Sequence, residues 1–230
     1  MNKLSTENLS LIPNPIELKR ICKSISTLEA IICQEWGFRY YSYQKDWGEN
    51  EEFCEMRNGQ GDQMLILFSN KGTCINGFAH ESEMNGWEKE PGKKLIQKIL
   101  HGVVSDLPEV FNDFIFGEPV KSIGTTFCIW QTSTNKEWKT GKILLPMNDY
   151  KDGSMDLLQL LDGKPSTYKD WAEEYYEEEF EENELKLELV EKIYSHTVLT
   201  VELIKSINPK LEDIGKLKSD LQEIGYQYKL

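Results

Sequence analysis

Apolar residues recur at spacings of three and four near the start of the chain, which predicts an amphipathic helix. Asn14 has a side chain suited to capping this helix, and Pro15 suits its first position. Gly37 follows at a position suited to its end. The apolar stripe consists of Ile21, Ile25, Leu28 and Ile32. We therefore expect one face of this helix to pack against the rest of the fold.

Short apolar runs bounded by turn residues predict the strands of a single sheet. Residues 63–68 and 126–131 are almost continuously apolar, which is typical of strands buried on both faces. Further strands are predicted over residues 38–43, 52–57, 73–79 and around 142–145. We expect the hairpin within residues 122–146 to lie at the centre of the sheet, and residues 44–52 to form a polar loop.

Helical spacing dominates the remainder of the chain. The predicted helices lie within residues 91–116, 154–194, 201–206 and 209–224. A break is expected near Asn183, and Thr200 is a candidate cap. The whole pattern predicts an α+β fold, with a largely antiparallel sheet of five or six strands, packed helices and an all-helical C-terminal tail. Residues 1–182 would form the α+β domain, and residues 183–230 a helical extension packed on it.

Composition adds a strong acidic bias to this picture. The chain has 230 residues, of which 39% are apolar and 11% aromatic, and a formal net charge of -13. The apolar content supports a folded core. The charge argues against nucleic acid, whose phosphates need clustered Lys and Arg, and against anionic membranes. It favours a basic protein as partner, although the same charge can also serve solubility alone.

Cysteine usage and the N-terminal residues predict a cytoplasmic location. The cysteines are odd in number, widely spaced and without a CxxC pair, so we expect neither a disulfide framework nor a zinc site. They are Cys22, Cys33, Cys54, Cys74 and Cys128. Residues 1–15 lack the long apolar stretch of a signal peptide, and no apolar run approaches the length of a membrane span.

Three stretches of the sequence resemble uncharacterised cytoplasmic bacterial proteins. They are MRNGQGDQMLILFSNKGTCINGFAHES at residues 56–82, TTFCIWQTSTNKEWKTG at residues 125–141 and LLQLLDGKPSTYKDWAEEYYE at residues 157–177. The resemblance implies a bacterial source and brings no catalytic motif with it. In its general character, small, acidic and α+β, the chain is also similar to the immunity proteins of bacterial toxin systems.

The densest charge lies between residues 170 and 184, which hold nine acids and no Lys or Arg. Like charges on one helix repel one another, and a basic partner would relieve that repulsion. We therefore predict that this acidic helix binds a partner. The side chains chosen as contacts are Glu173, Glu174, Glu177 and Glu178. The alternative is a solvated helix face whose opposite side packs.

Three tryptophans are predicted in loops or at turn edges, namely Trp47, Trp87 and Trp138. Exposed aromatic side chains on loops often anchor a binding partner. We interpret these three as candidate partner contacts. The alternative is that each covers an edge of the sheet.

A catalytic alternative rests on His80 and Glu81, which follow the predicted strand at residues 73–79. A histidine beside an acid can transfer a proton, and Cys74 is a candidate nucleophile. Cys74 and His80 cannot touch within one extended strand, because six residues span about 20 Å. The other interpretation of this pair is a polar strand end.

Metal and cofactor patterns are not indicated. The acids at residues 46–52 lack EF-hand spacing, and three scattered histidines do not suggest zinc. The glycines at residues 59–61 and 163 lack the patterns of phosphate-binding loops. We therefore expect no metal and no cofactor.

These observations lead to a functional prediction and two alternatives. The prediction is a cytoplasmic protein-binding module, immunity- or antitoxin-like, that binds a basic partner. The first alternative is an enzyme of unknown reaction with its site near His80 and Glu81. The second is a homo-oligomer in which the helices of residues 200–226 pair through their apolar stripe. That stripe consists of Leu211, Ile214, Leu217, Leu221 and Ile224.

Overall fold

A six-stranded antiparallel sheet forms the centre of the protein. The structure, a computed structural model, describes residues 3–82, 84–85, 102–116, 124–142, 151–180 and 184–230, without the side chains of residues 115 and 116. The strands are β1 (Tyr41–Gly48), β2 (Glu51–Arg57), β3 (Gln63–Ser69), β4 (Gly72–Phe78), β5 (Phe127–Thr132) and β6 (Asn135–Thr140). Each strand pairs with its neighbour in sequence, so the sheet order is β1-β2-β3-β4-β5-β6. The predicted α+β class and antiparallel sheet are confirmed.

The centre of the sheet is β3 and β4, and not the hairpin of residues 122–146. Both central strands are buried along their length. Gly72 opens β4 with φ +146°, and a Cβ there would lie 2.2 Å from the carbonyl oxygen of Gln131, so glycine is required. The prediction placed β5 centrally because it is equally apolar, but apolar content does not distinguish the middle strand from its neighbour.

The edge strand β6 lies where the sequence predicted a polar turn. It follows β5 after only Ser133 and Thr134, and its burial pattern shows mostly exposed and half-buried residues. Charged residues are common on an edge strand, because they discourage pairing with other chains. The predicted second strand of this hairpin, around residues 142–145, was wrong at Lys142, which is not in a strand, and otherwise lies outside the described residues.

The hairpin of β1 and β2 replaces the polar loop predicted at residues 44–52. β1 continues to Gly48, and Asn50 makes the turn with φ +60°. Residues 45–48 are exposed, so no buried face imposes the apolar alternation by which a strand is recognised. The strand predicted at residues 38–43 begins later than expected. Phe38 belongs to a 3-10 turn, Trp36–Phe38, and residues 39 and 40 precede β1.

Helix α1 (Pro15–Ile32) packs on one face of the sheet. The Asn14 side chain accepts hydrogen bonds from the backbone N–H groups of Ile16 and Glu17, as predicted. The helix ends at Ile32 and does not reach Gly37. Fully burying a side chain such as Ile25 or Leu28 contributes about 1.5–3 kcal/mol, so this face is a main source of stability.

The later helices are short and pack around α1. They are α2 (Asn112–Phe116), α3 (Ser154–Leu157), α4 (Pro165–Tyr175), α5 (Glu177–Phe180), α6 (Leu187–Tyr194), α7 (Val201–Ile207) and α8 (Ile214–Ile224). The predicted helical stretch of residues 154–194 is interrupted at Tyr176 and again between Glu184 and Lys186, next to the break expected near Asn183. No helix in the described residues is both long enough and apolar enough to cross a membrane.

The C-terminal helices share the core of the sheet and α1. Leu217, Leu221 and Ile224 are buried there, so most of the apolar stripe proposed for pairing between copies is already covered within the chain. Thr200 caps α7 by accepting from the N–H of Leu203, as predicted. The tail is not all-helical, because a short parallel pair joins β7 (Leu199–Thr200) to β8 (Tyr228–Lys229).

The opposite face of the sheet carries a second, smaller apolar cluster. Leu65, Leu67, Cys74, Cys128 and Trp130 project from β3, β4 and β5 into this cluster. Phe111 and Phe114, which lie beside and within α2, pack on it. Val110, next to Phe111 in the chain, is exposed. Residues 91–101 of the helical stretch predicted at residues 91–116 lie outside the described residues.

A buried carboxyl group joins three elements on the α1 face. Glu29 of α1 has no exposed surface, and it accepts hydrogen bonds from the Tyr40 N–H at 2.8 Å, the Tyr168 hydroxyl at 2.9 Å and the Tyr176 hydroxyl. Burial raises the pKa of Glu29, while these three donors act in the opposite direction. Burial, and next the charge of Glu29, raises the pKa of both tyrosines, so both hydroxyls remain donors.

We expect Glu29→Ala to lower the free energy of unfolding by about 3–5 kcal/mol, because it leaves a cavity and two buried hydroxyls without their acceptor. Glu29→Gln keeps the shape and one acceptor, and should cost about 1–2 kcal/mol. Urea unfolding followed by circular dichroism measures both. Equal losses in the two variants would contradict the role of the hydrogen bonds.

The pH dependence of the free energy of unfolding, compared between the natural protein and Glu29→Gln, gives a second test of this site. The folded pKa of Glu29 is raised above its usual 4.5, so its contribution to stability is present at low pH and is lost as pH rises through the folded pKa. The stability advantage of the natural protein over Glu29→Gln should therefore shrink as pH rises.

A second charged cluster ties α1 to the sheet. Glu52 of β2 accepts from Lys19 at 2.6 Å, Lys23 at 2.8 Å and the Tyr43 hydroxyl at 2.7 Å. Burial by itself raises the pKa of Glu52, but the hydrogen bonds from Lys19, Lys23 and Tyr43 together outweigh it and lower the pKa to about 2. The ionised carboxylate is therefore the form that the fold stabilises.

The low pKa of Glu52 predicts an acid-dependent loss of stability. Its contribution is fully present above the usual pKa of 4.5 and is lost as pH falls through about 2. Glu52→Gln should cost on the order of 2 kcal/mol at neutral pH, and the cost should shrink between these two pH values. Urea titrations at several pH values measure the difference, and a cost that did not change with pH would contradict the assignment.

Candidate binding groove

A groove lies on the sheet face opposite α1, over β1, β2 and β3. Its volume is about 740 Å³. The residues that line it are Trp36, Ser42, Tyr43, Gln44, Trp47, Glu51, Phe53, Glu55, Gln63, Leu65, Leu67, Lys71, Val110, Asp113, Phe114 and Glu223. One wall is the segment that holds Val110 and Phe114, and the opposite side is marked by Glu223 at the end of α8. The groove therefore occupies the part of this face beside the smaller apolar cluster.

The floor of the groove is apolar and aromatic. Phe53 projects from β2, and Leu67 is its register partner on β3. Trp47 stacks on Phe53, with ring centroids 4.4 Å apart and planes inclined by 21°. Phe114 meets the other side of Phe53 edge-on at 6.4 Å. Trp47 is 43% exposed, so part of this aromatic surface faces solvent.

The rim of the groove is acidic. Its lining residues include four carboxylates and one Lys, which is Lys71. Glu55 accepts from Gln63 at 2.7 Å and lies 3.4 Å from Arg57, and Glu223 accepts from Gln44 at 2.7 Å. Within the described residues, neither Glu51 nor Asp113 has an ion-pair partner. These two carboxylates are therefore available to a cation brought by a ligand.

Trp36 marks the end of the groove near Glu55. The Arg57 guanidinium lies 3.5 Å above the Trp36 ring and donates to the Trp36 carbonyl oxygen at 2.7 Å. A cation over an aromatic face is attracted by its negative π surface. Arg57 is thereby held beside Glu55, and Trp36 remains 51% exposed.

The three tryptophans selected as candidate partner contacts do not lie together in the described structure. Trp47 lies in β1 next to the hairpin turn and enters the groove. Trp138 lies in β6, half-buried, and its indole N–H donates to the Pro13 carbonyl oxygen at 3.0 Å. It therefore holds the segment that precedes α1 against the edge of the sheet. Trp87 lies outside the described residues.

The acidic segment of residues 170–184 is not one helix with one charged face. The interruption at Tyr176 separates α4 from α5. Glu173 is partly buried, where it pairs with Lys169 at 2.7 Å and accepts from the Leu185 N–H at 3.0 Å. Glu174, Glu177 and Glu178 are exposed. Glu173 thus has an internal role, and the other three remain on the surface.

His80 is positioned by an aspartate that the sequence analysis did not select. Asp62 accepts from the His80 backbone N–H at 2.8 Å, and its Oδ1 lies 2.9 Å from His80 Nδ1. The Glu81 carboxylate is 3.9 Å from His80 Nε2 and its side chain is 89% exposed. Cys74, the candidate nucleophile, lies 3.8 Å from the Cys128 sulfur in the second apolar cluster. The proposed Cys and His pair is therefore not formed by Cys74.

In the part of the chain that the structure describes, no group of three or more His, Cys, Asp or Glu side chains is arranged to hold a metal ion. The acids of residues 46–52 instead lie along the β1–β2 hairpin, where Glu51 lines the groove.

Comparison of the chain with protein-family models, with curated proteins and with solved structures finds no match. Sequence reasoning selected Trp47 but not Phe53, Glu55, Asp113 or Glu223. The alternation of Phe53 and Glu55 along β2 was a usable signal, because residues two apart share a face. Asp113 and Glu223 carry no local signal.

Trp47 and Trp138, the two candidate tryptophans that lie in the described residues, can be distinguished by their effects on stability. Trp138→Phe removes the hydrogen bond to Pro13 and should lower the free energy of unfolding by about 1 kcal/mol. Trp47→Phe keeps a ring over Phe53 at a partly exposed site, and should cost less than about 0.5 kcal/mol. Urea unfolding of both variants tests this order. The reverse order would contradict a structural role for Trp138 and a surface role for Trp47.

Proposed function

We propose that this protein is a binding module that takes a basic segment of another protein into the groove over β1, β2 and β3. The observation that carries the proposal is the combination of the Trp47–Phe53 floor with the carboxylates of Glu51 and Asp113, which have no ion-pair partner among the residues that the structure describes. Lys and Arg side chains combine an apolar stem with a cationic head, so they match an apolar floor with an acidic rim.

The charge of the whole chain favours the same class of partner. A net charge of -13 attracts cationic proteins over a distance and raises the rate of encounter. A second copy of the chain carries the same charge and would be repelled at this rim. Nucleic acid would be repelled for the same reason. A basic protein remains as the occupant that the electrostatics support.

The exposed acids Glu174, Glu177 and Glu178 add to this field. We assign them no contact in the groove, since their segment is not among its lining residues. A module of this kind would serve in a cytoplasmic immunity- or antitoxin-like role, in which it holds a basic protein and blocks its action. That role is supported by the charge, by the groove and by the free thiols of the described cysteines.

The catalytic alternative at His80 and Glu81 has weaker support. Asp62 orients His80, which is one requirement of a general base. Glu81 is directed to solvent, and Cys74 packs against Cys128 instead. Neither His80 nor Glu81 lines the groove. Binding is therefore the function that we propose.

The test uses the full chain and a fluorescein-labelled basic peptide made of Lys and Leu, with binding measured by fluorescence anisotropy. The groove variant carries Glu51→Lys and Asp113→Lys. The matched control carries Glu174→Lys and Glu177→Lys, which change the net charge equally. We expect the groove variant to bind at least about tenfold more weakly and with less salt dependence, because a local contact is lost.

Trp47→Ala gives an independent arm of the same test. Loss of an aromatic anchor should weaken binding by about tenfold with little change in salt dependence, because apolar contact is not screened. The control variant should bind within about threefold of the natural protein, as expected for a charge away from the contact. Equal losses in the groove variant and the control would overturn the proposal, since attraction would then be general and not local.

A further inference from the structure

We infer that the segment bound by this groove is an amphipathic helix, with an apolar stripe flanked by Lys or Arg. The inference rests on the proposed function, because it specifies what kind of basic segment the groove accepts. It depends on three features of the groove. The backbone of its floor is already hydrogen-bonded within the sheet, its width is close to that of one helix, and its acids lie on both sides.

The backbone of the floor is already used for pairing. β2 is hydrogen-bonded to β1 on one side and to β3 on the other, and β3 is likewise paired with β4. An extended peptide on this floor could not add a strand to the sheet, and its own N–H and C=O groups would face Phe53 and Leu67. Buried backbone groups without partners are costly, whereas a helix satisfies its own.

The outer edge of β1 is also partly covered. Gln44 of β1 donates to Glu223 of α8, and the Lys45 side chain lies against Gly225, where an added Cβ would be 2.8 Å from it. Addition of a strand at this edge would have to displace the end of α8. The common way of binding an extended peptide to a sheet, by pairing at an edge, is therefore disfavoured here.

The dimensions of the floor suit one helix. Three neighbouring strands span about 10 Å between the outer two, which is close to the 10–12 Å diameter of a helix with its side chains. Glu51 and Glu55 both line the groove, and this stretch of β2 is about 13 Å long at roughly 3.3 Å per residue. At 1.5 Å per residue, a helix of about nine residues would cover that length.

The carboxylates lie where the flanks of such a helix would pass. Glu223 is on the β1 side, held by Gln44. Asp113 is on the β3 side, next to Phe114, which packs in one cluster with Leu65 and Leu67. The apolar stripe would contact Trp47 and Phe53 between them. Cations three or four residues from the stripe would then reach both sides, as helical spacing allows.

The test compares two fluorescein-labelled peptides of identical Lys and Leu composition and about fourteen residues, or about four helical turns. One repeats Leu at helical spacing, and the other alternates Leu and Lys. Anisotropy gives the dissociation constant for the full chain and for the groove and control variants described above. Circular dichroism measures whether the bound peptide becomes helical.

We expect the peptide with helical spacing to bind at least about tenfold more tightly than the alternating peptide, and to gain helical signal on binding. The variant with Glu51→Lys and Asp113→Lys should lose this preference for the helical peptide. If both peptides bind equally and the groove variant weakens both, the inference of a helix is overturned while the proposed function stands. If the groove variant weakens neither peptide, the proposed function fails and the inference fails with it.

Discussion

The buried carboxyl of Glu29 is the interaction on which the arrangement of this protein depends. Removing a carboxyl group from water costs several kcal/mol unless it is hydrogen-bonded. Its donors come from the chain before β1 and from α4 and the residue that follows it, so these parts must meet at one point of α1. Tyr168 lies within α4, and Tyr176 follows directly after its end at Tyr175, so one helix and its C-terminal cap residue both donate to this carboxyl.

This constraint also explains which surfaces are left for binding. The helices that follow β6 gather on the α1 face, where Glu29 and the apolar stripe of α1 hold them. The opposite face is covered over its central strands by Phe111, Phe114 and their neighbours. The groove lies beside that cover, over β1, β2 and β3. Two of its acids, Glu51 and Asp113, have no ion-pair partner in the part of the chain that the structure describes.

Some residues of the candidate site could be predicted from the sequence, and others could not. Trp47 was recognisable as an aromatic side chain near a turn, and Phe53 and Glu55 lie on one face of β2 because side chains alternate along a strand. Asp113 and Glu223 join the rim only through packing of α2 and α8. The acidic segment of residues 170–184 was conspicuous in composition, yet Glu173 pairs internally, since composition does not reveal which carboxylates meet a lysine.

Local sequence by itself determined those elements whose signal is contained in a few neighbouring residues. The cap at Asn14, the glycine at Gly72, the cap at Thr200 and the apolar strands β3 and β5 belong here, because caps, turns and periodicity depend on residues close in the chain. Only the tertiary structure decided which strands are central, that α4 ends at Tyr175 and where the groove lies. Glu29 illustrates the reason: it sits within an apolar stripe, and its partner Tyr168 is 139 residues away, so no local pattern reports their contact.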